Sequence, residues 1–262
     1  MFHGRDAPPG EFRRDAGWLI GGKSREAGDH VLVNRSLEAE FGLVLDSVEW
    51  DVALLQEVPP GWVASLGRAT SSDAWFVPTS RNWMRPLTGP VWLRRPHLAG
   101  SWEGGGNMVL VRSGRNLTVS GTATCSMTFR PERRVVQQLR LAGGPDLYNL
   151  HASTGPEQAG RDVLAAAGFA VARSGSRPFL FGGDLNCRPA AGAPYPTLER
   201  RFGIAPPPSG MAGSIDQILA RGPEVLESVR PLAPEVREVL DQRSGRLVRL
   251  SDHSPVVGLF GC

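Results

Sequence analysis

Among 262 residues the chain has a single lysine, Lys23, two tyrosines and three cysteines. Nor has it an apolar run approaching the roughly 20 residues that a bilayer-spanning helix needs. Each scarcity excludes something. The cysteines, Cys125, Cys187 and Cys262, are odd in number and far apart, which argues against a disulfide framework or a zinc knuckle. The segment Met1 to Asp29 is polar and rich in Gly, Pro and Arg. It lacks the apolar core of a secretory signal, so a cytoplasmic location is expected. With lysine nearly absent, the positive charge is arginine. Guanidinium groups suit bidentate contacts with phosphate, although a coding bias toward arginine accounts for the excess more simply.

What remains is the composition of a folded domain. Hydrophobic residues make up 41% of the chain and charged residues 21%, which excludes a disordered or membrane-embedded class. The net charge of +3 is compatible with a polyanionic partner without requiring one. The length allows one large core. Residues 1–29 are expected to be an extension, and 30–262 one domain.

Hydrophobic patterning predicts the elements. Val31–Val33 is a short strand ending at Asn34, and Leu37, Phe41, Val44, Leu45 and Val48 recur at helical spacing. Asp51–Val58 is a buried strand that ends in Gln56-Glu57 and is broken by Pro59-Pro60-Gly61. Residues 62–106, with five of the seven tryptophans, are expected to be irregular. Strands follow at Met108–Arg112, Leu117–Cys125, Val135–Leu141 and Leu147–Leu150, then a helix over Glu157–Arg173. A strand at Phe179–Phe181 runs into Gly183-Asp184-Leu185-Asn186, and the last strands are Ile215–Leu219 and Val256–Phe260. Strands outnumber helices, which points to a layered α/β fold with mostly antiparallel sheets.

Six short polar patches fall at the ends of these runs: Asn34, Gln56-Glu57, His151, Asp184 to Asn186, Ser214-Ile215-Asp216 and Ser251-Asp252-His253. Together they suit phosphodiester cleavage, which needs a hard cation, an activated water and relief of charge on phosphorus oxygens. Glu57 emerges from a buried strand as a cation ligand, and Asn34 could complete that site. Asp184 and Asn186, two apart, point the same way, one to orient water and the other to donate to a phosphate oxygen. Asp216 could fix the tautomer of His253, and His151 could donate to phosphate.

Other features admit plainer readings. Residues 17–24 match the phosphate-binding pattern GxxxxGK[ST], but no buried strand precedes them and no helix follows, so the match reads as coincidence. The tryptophans between Trp62 and Trp102 could stack on bases; capping a core is preferred. Arg130, Arg133 and Arg134 suit either a phosphate backbone or a solvated strand edge.

The order N…QE…H…GDLN…SIDQI…SDHSP resembles the endonuclease/exonuclease/phosphatase superfamily, with the deoxyribonuclease I-like fold. The resemblance covers about residues 30–260, and FGGDLNCRP and LSDHSPVVGLF carry it most strongly. It implies a four-layer α/β sandwich, two mostly antiparallel sheets packed face to face with flanking helices, and a site at one end. It implies that Asn34 and Glu57 serve a magnesium site (manganese being compatible), assisted by Asp252. Asp184 would position water, Asn186 and His151 would contact the phosphate, and Asp216 would pair with the catalytic His253. In deoxyribonuclease-type members the first histidine has a glutamate partner on an earlier strand, and Glu103 is the candidate here. The implied activity is metal-dependent hydrolysis of phosphate esters, foremost a phosphodiesterase acting on nucleic acid. The alternatives are a phosphatase on a small or lipid phosphate and a catalytically silent binding protein.

Overall fold

The computed structural model describes residues 25–27, 30–32, 36–79, 105–130, 132–242 and 244–261. Asn34, Glu103, Cys262, residues 17–24 and Trp83, Trp92 and Trp102 lie outside them.

Two sheets form the centre. The larger runs in the order β10 (Asp216–Arg221), β9 (Phe179–Asp184), β8 (Asp146–His151), β7 (Arg134–Leu141) and β6 (Val119–Thr128). Its pairings are antiparallel except β8–β9. A parallel pair needs a long crossover, and helix α3 (Pro156–Ser174) supplies it. The second sheet is antiparallel, in the order β3 (Val52–Val58), β5 (Gly106–Arg112) and β4 (Ser72–Pro78).

Alternation along the strands separates three apolar layers. Tyr148, Leu150, Phe179 and Phe181 face α3 and α4 (Tyr195–Phe202), where Ala159, Val163, Ala166, Ala167 and Ala170 form the buried stripe of α3. Val109, Val111, Leu139, Leu141 and Leu147 fill the space between the sheets, with Val52 and Leu54 against them. Met108 and Leu110, on the other face of β5, pack with Val58 against Leu37 and Phe41 of the α1 (Glu38–Ser47) region and Trp62 and Leu66 of the α2 (Val63–Ala69) region. The order helix, sheet, sheet, helix is the four-layer sandwich that the resemblance implied.

Smaller pieces complete the fold. β11 (Glu224–Pro231) pairs with β14 (Val256–Gly261). β1 (Arg25–Ala27), β2 (His30–Leu32), β13 (Arg246–Arg249) and β12 (Glu238–Asp241) form a four-stranded sheet. Among the described residues, no helix is long and apolar enough to cross a membrane.

The expectation of irregular structure over 62–106 is corrected at its start. Residues 60–62 form a 3-10 turn, followed by α2 and then β4. Trp62 is buried against Phe41, with ring centroids 5.4 Å apart, so it belongs to the core. α2 escapes periodicity because its seven residues, VASLGRA, bury only Leu66 and Gly67. α4 and strands β11 to β13 were also unanticipated.

At the end of β8 away from His151, the buried Asp146 gathers neighbouring chains. It accepts hydrogen bonds from Arg140 Nε (3.1 Å), Arg177 Nε (3.2 Å), Gln138 Nε2 (3.0 Å) and Ser174 Oγ (2.8 Å). Burial alone would raise its pKa, but the hydrogen bonds from Arg140 and Ser174 and the guanidinium charge prevail and hold it below the usual carboxylate range.

Candidate active site

Register assembles the site. His151 on β8 stands opposite Asp184 on β9, and Asp184 stands opposite Asp216 on β10. Residues in register share a face, so three of the candidate side chains form one row across the end of the larger sheet. The Gly182-Gly183 pair lets the strands close beneath this row. A β-carbon on Gly182 would lie 2.7 Å from the Gln217 carbonyl oxygen, and one on Gly183, at φ +126°, would lie 2.1 Å from that of Leu150. The glycines of GGDLN are therefore required by close backbone approach.

Glu57 reaches the row through an irregularity. By strict alternation it would share a face with Ala53 and Leu55, which pack in the α1/α2 layer. Between Leu55 and Val58 the β3–β5 register shifts, and Glu57 has φ 58°. A bulge of this kind re-aims a side chain. It brings Glu57 Oε1 to 4.0 Å from His151 Nδ1 while Val58 returns to the core. Gly105 makes room, since a β-carbon there would meet the Glu57 Cα at 2.8 Å.

From Glu57 the ionisable groups continue without a break. His151 Nε2 lies 3.6 Å from Asp184 Oδ2. Donor atoms of Asp184, Asp216 and His253 lie within 4.8 Å of one another. His253 Nδ1 is 3.0 Å from Asp216 Oδ2, and its Nε2 is 3.9 Å from Asp252 Oδ2. Of the expected site residues, Asn34 lies outside the described ones, and the others lie on or beside this run. Asn186, at φ 51°, donates from Nδ2 to the Ala152 carbonyl (3.0 Å), and its backbone N–H donates to Asp184 Oδ1 (3.0 Å). The His253 loop is held by Arg237, which donates to the Ser251 carbonyl (3.0 Å).

Charge within the run is perturbed. Burial, reinforced by the carboxylate of Asp216, pushes Asp184 up to about 6. The hydrogen bond to Asp216 raises the pKa of His253 against the opposing effect of burial. With Nδ1 donating to Asp216, the neutral imidazole keeps Nε2 as its proton acceptor.

A layer of buried amides beneath the row was not anticipated as a group. Gln56 Nε2 donates to Asn149 Oδ1 (2.7 Å), and Asn149 Nδ2 donates to the carbonyls of Leu55 (3.0 Å) and Met108 (3.1 Å). Asn107 donates to Val135 (2.7 Å), and Gln137 donates to Trp75 (2.9 Å). These bonds tie one sheet to the other directly under the catalytic end. Their signal in the sequence was an amide on the inward face of each strand, at positions otherwise apolar.

The profile of the endonuclease/exonuclease/phosphatase family matches residues 43–253, and the chain belongs to this family of phosphate-ester hydrolases. No curated protein matches it in sequence. Solved structures share the fold. An endonuclease/exonuclease/phosphatase family protein from Bacteroides thetaiotaomicron is 13% identical with a TM-score of 0.62, over 86% of this chain and 89% of that one. The mannosyl-6-phosphatase of the same organism is 12% identical with a TM-score of 0.61, over 86% and 90%. TDP2 from Caenorhabditis elegans is 17% identical with a TM-score of 0.55, over 86% and 68%.

The family is typically metal-dependent, and the donor set fits a divalent cation. Donor atoms of Asp184, Asp216 and His253 lie within 4.8 Å of one another, and with Glu57 and Asp252 at the two ends of the run the site is rich in the carboxylate oxygens that hard divalent cations prefer.

Proposed function

We propose that the chain is a magnesium-dependent phosphodiesterase acting on nucleic acid. The observation that carries this reading is the run from Glu57 to Asp252, in which two histidines alternate with carboxylates at one end of the sandwich. His253, oriented by Asp216, takes the proton of the attacking water at Nε2. Asp184 orients that water. Asn186 and His151 donate to the phosphate oxygens as charge builds on them. Glu57, Asn34 and Asp252 are the residues we assign to the cation, which neutralises phosphate charge when bound; manganese suits the same oxygen donors.

A second reading, a phosphatase on a small phosphate monoester, draws support from the fold shared with a mannosyl-6-phosphatase. Hydrolysis of a generic bis-aryl phosphodiester and of plasmid DNA, with magnesium, manganese or EDTA, decides between them, with His253→Ala as control. Metal-dependent diester cleavage lost in the variant is the expected result. Phosphate release from monoesters with diesters untouched would overturn it in favour of the phosphatase. No turnover of either would indicate a silent binding protein.

A further inference from the structure

The β6–β7 hairpin emerges at the same end of the larger sheet as the catalytic row. Ser126 pairs with Val135, and Val136 pairs with Leu150. Continuing that antiparallel register sets Val135 beside His151. The connection after β6 therefore projects past the row, on the side away from Asp216. Two strand spacings separate β6 from β8, roughly 10 Å. A group there is within reach of the nucleotides that flank a linkage held at His151 and Asp184, and beyond the reach of a small phosphate monoester.

The hairpin carries chemistry that packing does not explain. Cys125 and Met127 lean on the core between the larger sheet and α3, but Phe129, two residues on, is 71% exposed. The β6–β7 register shifts between Ser126 and Thr128, setting Thr128 opposite Arg134. Phe129 follows directly on the end of β6 and begins the connection that leads past Val135 and His151. Arg130 and Arg133 beside it are exposed. Arg133 Nε reaches Ser126 Oγ at 3.4 Å, which draws its guanidinium back along β6. A solvent-facing ring followed, one and four residues on, by two exposed guanidiniums at the edge of a phosphate-ester site matches the way unpaired bases and their phosphates are held.

We propose that Phe129, Arg130 and Arg133 form a subsite for single-stranded nucleic acid, in which the ring stacks on a base flanking the cleaved linkage and the guanidiniums neutralise the adjacent phosphates. The proposal rests on the phosphodiesterase reading above, which supplies the position of the linkage. Stacking requires an unpaired base, so the subsite selects single strands over duplex.

The test is fluorescence anisotropy of labelled oligothymidylate, oligouridylate and a duplex in EDTA, so that binding is read apart from cleavage. Phe129→Ala is expected to weaken single-strand binding about tenfold, with Phe129→Trp restoring it. Arg130→Ala/Arg133→Ala is expected to lower the salt dependence of log K by roughly one to two. Turnover of the bis-aryl diester should be unchanged in all three variants. Binding insensitive to these substitutions, or duplex bound as tightly as single strands, would overturn the subsite even if the protein cleaves DNA. Single-strand binding that depends on the hairpin, in a protein that cleaves no diester, would leave the subsite standing and remove the phosphodiesterase reading. The two polymers show whether the 2′-hydroxyl matters.

Discussion

Asp184 and Asp216 face each other in register across the antiparallel pair β9–β10, placing two carboxylates side by side at the mouth of the site. Like charges directly opposite on neighbouring strands are destabilising. The cation and the proton-transferring His253 proposed for this site would offset that repulsion.

The first prediction follows from that repulsion. Burial and Asp216 raise Asp184 from 3.8 to about 6 in the folded protein. A group raised on folding contributes stability below its unfolded pKa and loses it as pH rises through the folded one. Without metal, Asp184→Asn should therefore be more stable than the parent at neutral pH, by on the order of 2 kcal/mol, or roughly 5 °C in Tm. The gain should vanish near about pH 4. Thermal melts in EDTA across this range check it, and a variant less stable at neutral pH would count against it.

Metal should reverse the balance. Magnesium at a hundredfold excess over its Kd should stabilise the parent by about 2.7 kcal/mol. Glu57→Gln should need a higher magnesium concentration for the same shift. A Glu57→Gln protein with unchanged metal dependence would take that residue out of the cation site. Calorimetric melts in a magnesium titration provide the readout without substrate.

His253 and Asp216 make a prediction in pH. The hydrogen bond to Asp216 raises the imidazole, so turnover should fall as pH drops through a value above that of free histidine, because the base must be neutral. Asp216→Asn should move this acidic limb to lower pH and reduce kcat. His253→Ala should cost about 10²- to 10⁴-fold in kcat. A pH profile of kcat/KM unmoved by Asp216→Asn would show that the pair does not act as assigned.

Asp146 lies at the opposite end of β8, where two guanidiniums converge on one buried carboxylate. Removing the acid leaves two partly exposed cations without their shared partner and buried Gln138 and Ser174 without their acceptor, so Asp146→Ala should destabilise by about 1–3 kcal/mol. Its lowered pKa means the contribution is present above the unfolded carboxylate value and lost as pH falls through the folded one. The folded fraction should keep its catalytic constants, read by assays well below the melting temperature.

Much of the site was legible because its residues stand at the ends of apolar runs, Glu57, His151 and Asp184 near the ends of strands and Asp216 at the start of one. β9 was read as Phe179–Phe181 running into Gly-Gly-Asp, and the structure extends it to Asp184. α3, expected over 157–173, spans Pro156–Ser174. Alternation alone could not show that His151, Asp184 and Asp216 share one row, because register depends on which strands pair. β11 left no pattern, since seven of its eight residues are exposed. The amide layer was hidden for a related reason. Asn107, Gln137 and Asn149 sit where an inward apolar residue would be expected, and their partners are backbone carbonyls, which no sequence displays.

The irregularity at Glu57 makes the site a matter of counting. One surplus residue in β3 lets Glu57 look toward His151 while Val58 still looks toward Leu37 and Trp62. Deleting Gln56 or Glu57 would leave Val58 two residues after Leu55 and still facing the core, but it would leave one polar side chain where the bulge now presents two. The surplus residue is what lets one strand end serve both the amide layer, through Gln56, and the ionisable row, through Glu57.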